Sequence, residues 1–177
     1  MHKIIFVLSL IVANSCLAED LIKAAGTQTN AAGIELETVD TPPTWADKAE
    51  EVIIHALSLT GIQYKYGGKS PETGFDCSGF VRYVFNQATK ITLPPTARAI
   101  SQMGKTVKKE DLQPGDLVFF NTLKSAFSHV GIYMGDNKFI HSPSSGGQVR
   151  VENMDNSYWK KRFNGAQRIE TAPEQTN

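Results

Sequence analysis

The chain has 177 residues, 41% hydrophobic and 20% charged, with 18 Lys and Arg balancing 18 Asp and Glu. That length suits one domain with a packed core, and the neutral balance argues against an electrostatic nucleic-acid binder, which needs a net basic face. Two cysteines are too few for a disulfide scaffold or a four-thiolate zinc site, and the chain has neither a GxxxxGK phosphate loop nor a GxGxxG turn.

Residues 1–18, MHKIIFVLSLIVANSCLA, have the form of a secretory signal. Lys3 precedes an apolar run over residues 4–13, which is too short to span a bilayer as a helix, and small residues follow before Glu19 and Asp20. Two processing sites fit. Cleavage after Ala18 removes Cys16. Cleavage before Cys16 makes it the lipidated first residue of a lipoprotein, since Ala13-Asn14-Ser15-Cys16 resembles a lipobox with Ala13 in place of Leu. Either way Cys77 is left without an intramolecular partner, and a free thiol in an oxidising compartment is a liability unless it is used.

Residues 19–43 lack periodicity and read as a tether. The domain occupies residues 44–170. Trp45, Ala49, Val52, Ile53, Ala56 and Leu57 fall on one helical face, with Thr44 and Asp47 as a capping box and Gly61 as a stop. His55 lies off that stripe and reads as a surface residue. The stretch GGKSPETG reads as loop. Phe80, Val81, Val84, Phe85 and Ala88 make a second helical face that starts at Cys77 with Asp76 as N-cap, and Thr96 caps a short helix. Strands are expected over residues 116–120, 129–134, 138–142, 149–151 and 166–169, with a turn at Gly135-Asp136-Asn137. Helices first and hairpin-linked strands later predict an α+β domain on an antiparallel sheet. Residues 171–177 read as a polar, frayed tail.

The chemistry points to Cys77. At the start of a helix, unsatisfied N–H groups and the dipole stabilise a thiolate, so a lowered thiol pKa is expected, opposed by the Asp76 charge. A thiol nucleophile needs a base, and His129 and His141 stand in the strand region, twelve residues apart. With an odd-numbered loop such as residues 134–136, position 129 pairs directly with 141 and both imidazoles share one face. His129 then takes the thiol proton and His141 orients it. Cys77 with two His could also ligate zinc, but no C-x-x-C or H-x-x-x-H pair supports a metal site. No cofactor is called for.

The segments YKYGG, FDCSGFV, LQPGDLVFF, HVGIYMGDNKFIHS and YWKKRFNGAQRI, in that order, resemble the NlpC-type cell-wall cysteine peptidases, in particular the single-domain murein endopeptidase lipoproteins of Gram-negative bacteria. The resemblance implies a papain-like fold and a Cys77–His129–His141 triad that cleaves amides through a thioester. It matches Tyr64 to a tyrosine beside the nucleophile and Ser78 to a residue lining the substrate groove. Asp76 and Arg98 complete the candidates for oxyanion or substrate contacts. One departure is Pro95, which follows Leu93-Pro94 where a basic residue is usual, so either Arg98 substitutes for it from a shifted position or the specificity differs. The implied substrate is the peptidoglycan stem peptide, cut between D-Ala and diaminopimelate or between D-Glu and diaminopimelate. The implied setting is a monomer in the periplasm, attached to a membrane only through a lipid on Cys16. Two other readings remain: an acyltransferase on the same fold, and a non-catalytic wall-binding module, whose signature would be a lost triad residue.

Overall fold

The computed structural model describes residues 44–122, 125–145 and 147–169. The segments expected to be a signal with Cys16, a tether and a tail lie outside the described residues. Among the described residues no helix is long and apolar enough to cross a membrane.

The first helix, α1 (Trp45–Ser58), opens on the expected capping box: Thr44 N donates to Asp47 Oδ2 at 2.8 Å, and Asp47 N donates back to Thr44 Oγ1 at 3.4 Å. Its buried residues are Ala49, Val52 and Ala56, continued by Leu59. Leu57, expected on that face, is 43% exposed. The stripe follows the i, i+3, i+4 rows through 49, 52 and 56, and position 57 rotates past its edge. His55 is exposed.

The GGKSPETG loop folds into a small hairpin of β1 (Lys69–Ser70) and β2 (Gly74–Phe75). Residues read as pure loop therefore carry two short antiparallel strands, because the turn between them is tight enough for two ladder pairs to form. Helix α2 (Cys77–Thr89) follows at once and buries Phe80, Val81, Val84 and Phe85 completely. A Cβ on Gly79 would stand 2.0 Å from Gly68 O, so the two glycines allow the hairpin backbone to rest on the first turn of α2. Helix α3 (Ala97–Ile100) is capped by Thr96, whose hydroxyl accepts from Ala99 N at 3.2 Å.

The remaining strands form one six-stranded antiparallel sheet in the order β3-β8-β4-β5-β6-β7. They are β3 (Lys105–Val107), β4 (Leu117–Phe120), β5 (His129–Gly135), β6 (Lys138–His141), β7 (Arg150–Asn153) and β8 (Phe163–Arg168), with the short helix α4 (Ser157–Lys160) before β8. Strand β3, polar and three residues long, was not anticipated. Leu117, Phe119, Val130, Ile132 and Ile140 face the helices in one core. Val118, Phe120, Tyr133, Phe139 and Trp159 build a second core on the opposite face. Period-two alternation sends His129 and His141 to that second face.

Candidate active site

The β5–β6 hairpin sets the geometry of the two histidines. Its loop is Asp136-Asn137, both at positive φ (50° and 56°), between the pair Gly135 and Lys138. This replaces the three-residue loop expected from the sequence. An irregularity between Tyr133 and Gly135 restores parity, and the register becomes Tyr133 with Phe139 and Ile132 with Ile140. Continued along β5, that register sets His141 opposite Gly131, not opposite His129. The histidines are diagonal neighbours on one face. They still meet: His129 Nε2 lies 2.7 Å from His141 Nδ1, with the rings at 90°. The vacancy at Gly131 is what lets His141 lean across, since a Cβ there would lie 3.1 Å from His141 Cβ and 2.7 Å from Phe139 Cδ2.

A third residue, which the sequence reading missed, completes this row. Strand β7 pairs Arg150 with His141 and Glu152 with Phe139, so both charged side chains share the histidine face. Glu152 Oε1 stands 3.5 Å from His141 Nε2, and no ordinary hydrogen bond reaches that buried nitrogen. Arg150 Nε donates to Glu152 Oε1 at 2.6 Å, and Trp159 Nε1 donates to Glu152 Oε2. The His141 contact, then Trp159 and Arg150, hold the Glu152 carboxyl at about 2, against its partial burial. The sequence signal was the alternation Arg150, Val151, Glu152, which the expected strand cut one residue short. Trp159 also stacks on His129 (5.6 Å between centroids, 27°) and meets His141 edge-on (5.0 Å, 88°), so both rings are clamped.

This arrangement decides the tautomers. A carboxylate only accepts, so the proton of neutral His141 belongs on Nε2, facing Glu152. His141 Nδ1 then accepts from His129 Nε2–H, and His129 Nδ1 is left with its lone pair. Burial first, and the neighbouring His141 second, push the His129 pKa down to about 3. Burial also lowers His141, against the pull of Glu152. Both imidazoles are neutral at rest.

Cys77 is the first residue of α2 and half-buried. The lowered pKa expected for it is not found. Burial, then the Asp76 charge, push the thiol up to about 11, outweighing the backbone N–H groups of Val130, Ser78 and Cys77 itself. Val130 directly follows His129, so the N–H that reaches the sulfur belongs to the same strand end as that imidazole. Cys77 and His129 line one cleft with Tyr64, Ser78 and Pro95. Tyr64 ionises above its usual value because it is partly buried and feels the Cys77 and Asp76 charges.

The other candidates have structural ties. Asp76 Oδ1 accepts from Gly79 N at 2.7 Å as the α2 cap, and Oδ2 accepts from Gly67 N at 3.0 Å. Ser78 Oγ lies 3.0 Å from both Asp76 Oδ1 and Pro95 O. Arg98 is on the exposed side of α3, next to Pro95, Thr96 and Ala97 of the cleft lining but not itself in it. Among the described residues no group of three His, Cys, Asp or Glu is placed to hold a metal ion.

The chain is 32% identical over 166 residues to murein DD-endopeptidase MepS/murein LD-carboxypeptidase of Escherichia coli K12, covering 90% of this chain and 87% of that protein. It is 38% identical over 128 residues to murein DD-endopeptidase MepH of the same strain, covering 70% of this chain but only about half (47%) of MepH. A crystal structure of an NlpC/P60 family protein from Bacillus cereus superposes with a TM-score of 0.65 at 33% identity, over 73% of this chain and 41% of that one. The pattern of the NlpC/P60 family matches residues 61–168, from the turn after α1 to the end of β8, and so takes in all the cleft residues named above. The chain belongs to the NlpC/P60 family.

Proposed function

We propose that the protein is a peptidoglycan endopeptidase, a cysteine peptidase that hydrolyses amide bonds of murein stem peptides or crosslinks. One observation carries this reading: a half-buried thiol shares a cleft with a buried imidazole that a second imidazole and a carboxylate hold in one tautomer. The similarity to two murein endopeptidases supports the substrate class.

The chemistry follows from the protonation states. With the thiol pushed up and the imidazole pushed down, the resting pair is neutral. Sulfur therefore attacks the amide carbonyl as its proton passes to His129 Nδ1. The positive charge that forms on His129 is stabilised through His141 by Glu152. In this reading backbone N–H groups at the start of α2 receive the oxyanion, and Tyr64, which lines the same cleft, supplies its hydroxyl. His129 then protonates the leaving amine, and afterwards takes a proton from water as it attacks the thioester. His141 and Glu152 act as positioning residues. Reaching peptidoglycan requires export, which the signal-like residues 1–18 would supply, with Cys16 as a lipid anchor if processing exposes it.

The test is mass spectrometry of defined crosslinked muropeptides after incubation with the purified protein. Native enzyme should release products of a single cleaved amide, and Cys77→Ala should release none while keeping the native circular dichroism. Cleavage retained by a folded Cys77→Ala protein would remove the nucleophile assignment.

A further inference from the structure

The cleft divides at His129. Thr122, His129 and Ser144 line two adjoining hollows, one of about 370 Å³ that contains Cys77, Tyr64 and Asp76, and one of about 270 Å³ that contains Arg150, Asn156 and Tyr158. Cys77 belongs only to the first, so the acyl part of a substrate lies there. The base must reach the leaving nitrogen, so the amine part crosses His129 into the second.

Charge divides along the same line. Among the described residues the Cys77 hollow is lined by Asp76 and by no Lys or Arg. The Asp76 field reaches across it, since it raises both the thiol and the Tyr64 hydroxyl. In the second hollow an arginine, Arg150, accompanies the carboxylate of Glu152. Arg150 uses Nε on Glu152 Oε1 at 2.6 Å and Nη2 on Ser145 O at 3.2 Å. A guanidinium has five N–H donors, so three remain unengaged among the described residues. The Arg162 guanidinium lies 3.8 Å from the centre of the Tyr158 ring, which forms a wall of the hollow. Among the described residues Glu152 is the only carboxylate in that lining, and Arg150 and Trp159 already occupy its oxygens.

We propose that the second hollow is the leaving-amine subsite and that it selects an amine whose own carbon bears a free carboxylate, with Arg150 as the anchor and Arg162 reinforcing the field. This rests on the peptidoglycan reading and sharpens it. In a crosslink between D-Ala and diaminopimelate, the leaving amine sits on a carbon with a free carboxylate. In the bond from the D-Glu side chain to diaminopimelate within a tetrapeptide stem, the free carboxylate belongs to D-Glu, on the acyl side, where Asp76 repels it. The division of charge across His129 therefore favours the crosslink.

The test uses two crosslinked muropeptides that differ only in whether that carboxylate is free or a carboxamide, with kcat/KM measured for the native protein, Arg150→Gln and Arg162→Gln. Native enzyme should prefer the free acid by about tenfold to a hundredfold, the scale of a hydrogen bond to a charged group. Arg150→Gln should bring the ratio close to unity, and Arg162→Gln should lower it partway. The ratio is taken within each protein, so a general loss of rate from freeing Glu152 cancels. If Arg150→Gln does not fold, the native and Arg162→Gln ratios decide. Equal rates in the native protein, or an undiminished ratio in Arg150→Gln, overturn the subsite. Failure of the native protein to cleave either substrate overturns the peptidase reading itself, a separate result.

Discussion

At Cys77, placement at a helix start and burial push in opposite directions, and burial wins. A thiol held near 11 and an imidazole near 3 do not form a standing ion pair, so the proposed nucleophile and base become charged only as the bond forms. Alkylation of Cys77 by iodoacetamide should therefore be slow at neutral pH and still rising above pH 9. A plateau below pH 8 would mean a preformed thiolate. The same reasoning gives Glu152 a measurable role. Glu152→Gln removes the charge opposite His141 Nε2 and lets both tautomers of the relay coexist. By analogy with carboxylates that orient catalytic histidines, kcat should fall by about a hundredfold or more. KM should barely move, and the histidine nitrogen NMR signals should report a mixture of tautomers. An unchanged kcat would leave His141 as the end of the relay.

The elements matter because they deliver these side chains from different places. The first turn of α2 is held by Asp76, whose two oxygens tie the helix start to the preceding loop. Asp76→Ala should cost about 1 kcal/mol or somewhat more in chemical denaturation, the usual scale of a lost N-cap. It should also lower the thiol pKa, because one of the charges that raises it is gone. The β5–β6 ribbon depends on the missing side chain at residue 131. Gly131→Ala would press on Phe139, on Ile140 O and on His141. Overpacking of this kind costs about 1–3 kcal/mol, and here it also shifts the positioning imidazole. Activity should thus fall further than the loss of melting temperature accounts for. Equal activity at temperatures well below the transition would show that the ribbon adapts.

Across the whole domain the sheet has two covered faces, and the histidines lie under the aromatic one, His129 only 6% exposed and His141 fully buried. The far side of the sheet is joined to β4 by a buried carboxylate: Arg168 Nε and Nη2 each donate to Asp116 at 2.8 Å, one to each oxygen. Burying neutral histidines makes the fold sensitive to acid. Their folded pKa values lie below the unfolded one, so below about pH 6.5 the unfolded chain binds more protons and stability falls with pH, by about 1.4 kcal/mol per unit for each group in its titration window. Glu152, lowered to about 2 from 4.5, adds to the loss below pH 4.5. The thiol acts at the other end: raised to about 11 from 9.0, it withdraws stability above pH 9. Calorimetry between pH 4 and 10 should give a dome, with its acid slope flattened in a folded His129→Gln variant. An acid limb unchanged by that substitution would place the sensitivity elsewhere.

The helix faces, the Asp76 cap, most strand positions along the chain and the shared face of His129 and His141 were legible in the residues, because each follows from a local period or a turn signal. So was the place of Cys77 at a helix start, two residues before Gly79, where a Cβ would meet Gly68 O. Glu152 was not legible, because it meets His141 only when a third strand lies beside the second, and no short-range pattern encodes which strands become neighbours. The raised thiol pKa was hidden for a related reason: the helix start is local, but burial is a property of everything packed around it. The assignment of Arg150 and Asp76 to opposite sides of His129 likewise belongs to the folded molecule, since residues 76 and 150 come to flank one imidazole only when α2 and β7 close around β5.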